Sequence, residues 1–264
     1  MRLTLPAAMF VLVSTAALVS TGAPADDVLP TDTLRAIYIA SNPVLAFVDS
    51  KSGETRGPGA ELARELGRRL GVTVTIKPVQ GAGGVLDAIK NGDADIGFVA
   101  FDSLRAVDVD FSQTYSLVQN TYIVPANSSI RSIAEVDKPG VRVGVAERDA
   151  GDLFLTRNLK HAEIRRNPGG EIAVGLKWMA DGQIDAYAAN RQRLALMAGR
   201  TKGIRLLPDN FYGVEQAVAV RKGNTVLLAI VDKFIDEART SGLIAGAIER
   251  AGLVGVDVAP RTTR

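Results

Sequence analysis

The sequence contains no cysteine and a single histidine, His161. Disulfides, thiolate zinc sites and cysteine nucleophiles are therefore excluded. A histidine-rich metal cluster cannot form, and a Ser-His-Asp triad would have to use His161. That residue follows an expected helix in Asn158-Leu159-Lys160-His161, where a solvated imidazole is the plain reading. No metal site and no cofactor is expected. Neither sign of charge is in excess: 31 Lys+Arg stand against 29 Asp+Glu, a formal net charge of +2. A dedicated nucleic-acid binder carries a basic face that this balance does not supply. Aromatic residues make up only 5% of the chain. After residue 26 no run is long and apolar enough to cross a bilayer.

The chain has 264 residues, 47% hydrophobic and 23% charged. These values lie near the globular average and exclude wholesale disorder and fibrous repeats. The length suits one large domain or two modest ones. The start reads as an export signal over residues 1–25. Met1-Arg2 is a short positive region, Leu5 to Val19 is apolar without a charge, and Ala23-Pro24-Ala25 fits the small-x-small cleavage pattern. A retained membrane anchor is the alternative, but the apolar stretch falls short of the ~20 residues of a span. The mature chain is expected to begin near Asp26, to be soluble outside the cytoplasm, and to be a monomer.

Beyond the leader, strands alternate with helices. Strands are predicted at Arg35–Ser41, Val72–Lys77, Ile96–Ala100, Thr121–Val124, Val141–Val145, Ile184–Ala188 and Ala217–Arg221. Helices are predicted at Pro58–Leu70, Val85–Lys90, near Asp152–Lys160, near Arg191–Gly199 and at Thr225–Arg239. In Pro58–Leu70, Leu62, Leu66 and Leu70 recur every four residues, charges cover the other faces, and Gly71 follows as a terminator. This alternation predicts an α/β fold with parallel sheet covered on both faces. There is no internal sequence repeat of 20–50 residues. Tyr115–Gln119 and Tyr212–Gln216 separate two βα series. As crossovers they would make one lobe of residues 31–116 and 215–264, and a second lobe of residues 117–214. Two extended crossovers form a hinge, with a ligand cleft between the lobes.

Several segments carry a family resemblance. Gly57-Pro58-Gly59-Ala60-Glu61-Leu62 leads to Leu70-Gly71-Val72. Ala88-Ile89 is followed by Gly92-Asp93-Ala94-Asp95-Ile96. Arg105 precedes Asp110-Phe111-Ser112 and Tyr115, with Thr114 at a position where proline is common. Ile133-Ala134-Glu135-Val136 leads through Gly140 to Val143-Gly144-Val145, and Gly182-Gln183-Ile184-Asp185-Ala186 comes later. Each is weak alone, but five in order after an export signal resemble the bacterial extracellular solute-binding proteins of family 3 over nearly all of the mature chain. The resemblance implies a two-lobed, type II periplasmic-binding-protein-like fold. It also implies capture of a small polar, amino-acid-like ligand, anionic or zwitterionic, by hinge closure, and delivery to an ABC transporter permease in the inner membrane.

The resemblance assigns Arg105 to the ligand carboxylate, which a guanidinium matches with a bidentate fork. A surface pair with Asp108 or Asp110 is the alternative. Other positions depart from the family pattern. Asn190 stands where an aspartate commonly grips the ligand's ammonium, and it could instead cap the helix at Arg191. Arg148-Asp149-Ala150 replaces a Gly-(Ser/Thr)-(Thr/Ser) turn, and Asp149 could contact ligand or cap the following helix. Ala100 falls where the family supplies a threonine. Gly81 opens Gly81-Ala82-Gly83-Gly84, which permits close backbone approach but is not a Walker A loop, because no Gly-Lys-Ser/Thr follows. Phe47 and Phe101 are the rings expected nearest the cleft, and Trp178 is expected on the second lobe's core or rim. Two other readings stay open: an enzyme similar to cyclohexadienyl dehydratases, with Asp149 as its general acid or base, and a ligand receptor for a membrane sensor.

Overall fold

The apolar, largely buried run Thr33–Ile39 makes the first strand (β1) of the computed structural model, which describes residues 29–261. The expected export signal lies outside the described residues. A short hairpin follows, β2 (Phe47–Val48) and β3 (Thr55–Arg56). Helix α1 (Pro58–Leu70) has the bounds that its apolar spacing predicts. Leu62 and Leu66 are buried, Pro58 starts the first turn, and Gly71 ends it in the left-handed conformation (φ 72°) that glycine adopts without strain. Next come β4 (Thr73–Val79), α2 (Gly81–Asn91), the fully buried β5 (Ile96–Ala100) and β6 (Val109–Phe111).

The long strand β7 (Ser116–Pro125) leads to β8 (Arg142–Ala146), α3 (Ala150–Asn158), β9 (Glu163–Asn167), α4 (Ile172–Ala180), β10 (Ala186–Asn190), α5 (Arg191–Ala198) and β11 (Ile204–Leu206). Strand β12 (Tyr212–Arg221), α6 (Thr225–Thr240), α7 (Leu243–Arg250) and β13 (Val256–Val258) complete the fold. Among the described residues no helix is long and apolar enough to cross a membrane.

The main sheet runs β4-β1-β5-β12-β7-β10-β8-β9. Its two ends repeat one design. β1 pairs in parallel with β4 and β5, as β8 does with β9 and β10. Each end carries apolar clusters on both faces: one side of the first lobe packs around Leu34, Phe98 and Val231, the other around Val85 and Ile89. The second lobe packs around Val143, Val145 and Leu155, and around Ile123, Met179 and Tyr187. The protein is thus a mixed α/β, two-lobed molecule, joined by the antiparallel pair β7–β12.

The two crossovers face each other, with Tyr212 opposite Asn120 and Gln216 opposite Ser116. Beyond this stretch the strands part company. β7 continues to β10 and β11, while β12 continues to β5 and β6.

The two Gly-x-x-Asp segments prove to be scaffold. Arg35 donates from Nη2 to Asp95 Oδ1 (2.6 Å) and from Nη1 to the Gly92 carbonyl (2.7 Å). Arg142 repeats this with Asp185 Oδ1 (2.9 Å) and the Gly182 carbonyl (2.7 Å). The Arg142 hydrogen bond outweighs burial and holds the Asp185 carboxyl below its ordinary pKa. Each ion pair ties the turn before an inner strand to the start of its neighbour, so the same sequence signature marks the same joint in both lobes.

Several elements depart from the sequence expectation. α2 begins at Gly81 rather than Val85, so the glycines form its first turn. β7 takes in the first crossover from Ser116 onward, and β12 takes in all of the second. β2, β3, β6, β9, α4, β11, α7 and β13 fall outside the elements that the sequence predicts. β9 is an edge strand reading Glu-Ile-Arg-Arg-Asn, too polar to show an apolar period, and α7 spans only eight residues.

Candidate ligand cleft

Side chains on alternate residues of a strand share a face. The register between β5, β12 and β7 therefore places Ala100, Gln216, Val214, Val118 and Asn120 on one floor, and Asn190 joins them opposite Asn120 at the end of β10. Above this floor lies a small cavity of about 20 Å³, also lined by Arg105 and Asp149. A larger cavity of about 430 Å³ adjoins it between the lobes, with Gly81 and Asn42 on one wall and Glu147, Arg148, Glu171 and Arg193 on the other. The two share Ile39, Asn42 and Asp149. Among the described residues no group of acids or histidine could hold a metal.

Arg105 sits in the turn after β5, only 7% exposed. Its Nη1 donates to the Ala100 carbonyl (2.9 Å) and its Nη2 to the Arg148 carbonyl (3.0 Å). The surface pairs considered from sequence do not form: Asp108 is bound by Lys90 at 3.0 Å and Asp110 by Lys222 at 2.8 Å. Among the described residues no carboxylate lies within 4 Å of the Arg105 guanidinium. Burial lowers its pKa, opposed by the charges of Asp149 and Asp102. A guanidinium stays protonated regardless, so the cleft floor carries a desolvated cation whose direct partners are carbonyls.

Asp149 and Asn190 both act as helix caps. Asp149 Oδ1 accepts from the Ala150 N–H (2.7 Å), and Oδ2 lies 3.7 Å from Arg193 Nη1. Asn190 Oδ1 accepts from the Arg193 N–H (2.8 Å), while its Nδ2 donates to Asn42 Oδ1 across the cleft (3.1 Å). Arg105, Asp149, Asn190 and Ala100 are thus brought together around one cavity, with Gly81 on its neighbour.

Phe47 and Phe101 line neither cavity. Phe101 follows Ala100, so chain alternation turns it to the opposite side, where it meets Phe111 edge-on at 5.4 Å. Phe47 is held in the β2–β3 hairpin opposite Arg56. Among the described residues no aromatic side chain lines either cavity. His161 is exposed, and its backbone N–H donates to Asp137. Trp178 is partly buried under the Arg165 guanidinium, 4.3 Å from the ring centroid.

Arg148 adopts φ 59°, the left-handed conformation that costs a β-carbon-bearing residue free energy. It stands where the resemblance expects glycine, which explains that preference. Arg148→Gly should leave stability unchanged or raise it by up to about 1 kcal/mol, because lost strain competes with greater unfolded-chain entropy. Thermal unfolding checks this, and a clear loss of stability would contradict it.

Sequence reasoning missed three features of the cleft. Asn42 bridges to Asn190. Asp102, its side chain 7% exposed, pairs with Arg157 of α3 at 2.8 Å. Gln216 is 2% exposed on the floor. Only Gln216 had a visible signal: an amide directly before the apolar run Ala217–Val220.

A family model for bacterial extracellular solute-binding proteins, family 3, matches residues 34–251. The L-cystine-binding protein TcyJ of Escherichia coli (strain K12) is 26% identical over 201 residues, covering 75% of this chain and 74% of that protein. An ancestral amino acid-binding protein, AncCDT-1, described as a precursor of cyclohexadienyl dehydratase, is 25% identical. It superposes with a TM-score of 0.69 over 86% of this chain and 97% of its own. An ancestral arginine-binding protein bound to arginine is 25% identical, with a TM-score of 0.69 over 83% of this chain and 98% of its own. With its two βα lobes on a shared β7–β12 hinge and a cleft over that hinge, the chain belongs to the bacterial extracellular solute-binding proteins, family 3.

Proposed function

We propose that the protein is a periplasmic receptor that captures a small zwitterionic, amino-acid-like ligand by hinge closure and presents it to an ABC importer. The observation that carries this reading is the buried Arg105 guanidinium on the cleft floor with no carboxylate partner among the described residues. A desolvated cation is stabilised by an anion that brings its own hydrogen-bond acceptors. Arg105 takes the ligand carboxylate, and the ligand side chain extends into the larger cavity. The charges of both signs there, and the lack of rings, suit a polar side chain. The lobes comprise residues 31–116 with 215–264, and residues 117–214. Export by residues 1–25 delivers a monomer to the periplasm, where the permease reads the closed shape.

Mass spectrometry of ligand released from the purified mature protein on unfolding tests this reading. An amino acid or close analogue is expected, and scattering at saturating ligand should show a smaller radius of gyration. A co-purified apolar molecule, an unchanged radius, or turnover of prephenate or arogenate would overturn it.

A further inference from the structure

The crossover stretch of β7 has a second partner besides β12. Strand β13 lies along its other edge, with Val256 opposite Val118 and Val258 opposite Ser116. The Gln119 N–H donates to the Gly255 carbonyl (2.8 Å), and Gln119 Nε2 donates to Asp257 Oδ2 (3.1 Å). From Asn120 onward, that same edge pairs with β10 of the second lobe instead. Gln119–Asn120 is therefore a seam where β7 changes partners. Hinges are a few residues at element ends that absorb the change in backbone angles, and β13 and β10 both end at this seam. Opposite Gln119 in β12 stands Gly213, whose backbone is free to follow.

The residues just before β13 reach the second lobe. The Val254 N–H donates to Gln192 Oε1 in α5 (2.6 Å), across 62 residues of chain. Gln192 is 9% exposed and lines neither cavity. Gly255 has φ 69°, and a β-carbon there would come within 2.9 Å of the Arg191 side chain. Arg191 is itself fixed to the second lobe through Asn210 Oδ1 (2.6 Å) and the Pro208 carbonyl (2.9 Å). These contacts adjoin the seam: Val254 precedes Gly255, which binds Gln119, and Gln192 closely follows Asn190, which pairs with Asn120. Groups near a rotation axis move least, so the link can stay made as the lobes swing.

We propose that residues 254–258 form a third hinge strand that pivots at Gln119–Asn120, and that the Gln192–Val254 link holds through the swing and limits how far the lobes open. This rests on the hinge closure of the proposed function. A narrower open ensemble raises the fraction of molecules near the binding-competent form, and apparent affinity follows that fraction. The link therefore tunes affinity for every ligand alike.

Hydrogen exchange on the ligand-free mature protein, resolved at single amides, is the first test. The Val254 amide should be protected in wild type. It should exchange about tenfold faster in Gln192→Met, which keeps the length and removes the acceptor. Gln192→Glu keeps an acceptor oxygen and should keep the protection. By scattering, ligand-free Gln192→Met should have a larger radius of gyration than wild type. Its calorimetric affinity for the two tightest binders among the twenty standard amino acids should fall by one common factor, about two- to tenfold.

An unprotected Val254 amide in ligand-free wild type would overturn the proposal, because the link would then not survive opening. So would an unchanged radius and affinity in Gln192→Met, which would make the contact purely structural. A loss confined to one ligand would place Gln192 at the site instead. If Gln192→Met does not fold, Gly255→Ala takes its place: crowding Arg191 should lift the segment and enlarge the radius, and an unchanged radius overturns the proposal. A wild-type radius that ligand does not reduce would sink hinge closure and this inference together. If no amino acid binds, the proposed ligand class fails, while exchange and the ligand-free radii still decide the link.

Discussion

Arg105→Ala should weaken an amino-acid ligand by about 10- to 150-fold. A hydrogen bond to a charged group contributes roughly 1.5–3 kcal/mol, and about 1.4 kcal/mol is a factor of ten. Arg105→Lys should recover only part of the loss, because an ammonium cannot reproduce the guanidinium fork. Stability should change little. The residue's partners are two carbonyls, from Ala100 and Arg148, and removing a buried cation also removes its desolvation cost. Had Arg105 formed a surface pair, alanine would leave affinity intact and cost under about 1 kcal/mol of stability. Asp108 and Asp110 have other partners, so that pattern is not expected. Calorimetry on wild type, Arg105→Ala and Arg105→Lys decides it: equal affinities would take Arg105 out of the site and the carboxylate with it.

The second large effect is expected at Arg157, which lines neither cavity. It donates from Nη2 to Asp102 Oδ2 at 2.8 Å, pinning α3 to the turn that carries Arg105. Asp102 Oδ1 accepts from the Leu104 N–H (2.9 Å), which shapes the same turn. Without Arg157, the carboxylate stays buried in the closed form with no cation bound to it. Removing one partner of a fully buried pair costs about 3–5 kcal/mol. Here the Arg157 side chain is 48% exposed, and the proposed hinge opening would rehydrate the carboxylate, so a smaller cost is expected.

A bias of about 1–3 kcal/mol against closure corresponds to roughly 5- to 150-fold lower affinity. The loss should be the same for an amino acid and its des-amino analogue. At one sub-saturating amino-acid concentration, scattering should show a larger radius of gyration for Arg157→Ala than for wild type. Asp102→Asn combined with Arg157→Ala should recover part of the loss, because the stranded charge is gone. Unchanged radius and affinity in Arg157→Ala would mean that the pair plays no part in closure.

Local patterns in the sequence were enough for the elements whose burial is periodic. α1 has an apolar stripe every fourth residue and ends on glycine, and its bounds match. β5 is a short apolar run buried throughout. The crossovers were recognisable because they break the βα rhythm, and they pair with each other in the sheet. Edge strand β9, with charge on both faces, had no such period, and α7, whose buried Ile244, Ala247 and Ile248 do recur at helical spacing, spans only eight residues, too few to stand out. Motif order was likewise enough for the family, since it depends on sequence alone.

Which motif residues are scaffold and which face the cleft was settled only in three dimensions. The aspartates of the two Gly-x-x-Asp segments turn to Arg35 and Arg142, while Arg105 passes over Asp108 and Asp110 for the Ala100 and Arg148 carbonyls. Phe101 and Ala100 are adjacent, yet strand alternation sends one to Phe111 and the other to the cavity. Asn42 and Asn190 meet across 148 residues of chain, and Asp102 and Arg157 across 55. Such contacts depend on how two separately packed lobes sit over one pair of strands. Local spacing encodes the direction of a side chain only within its own strand or helix, so the partners it meets across the cleft follow from tertiary packing.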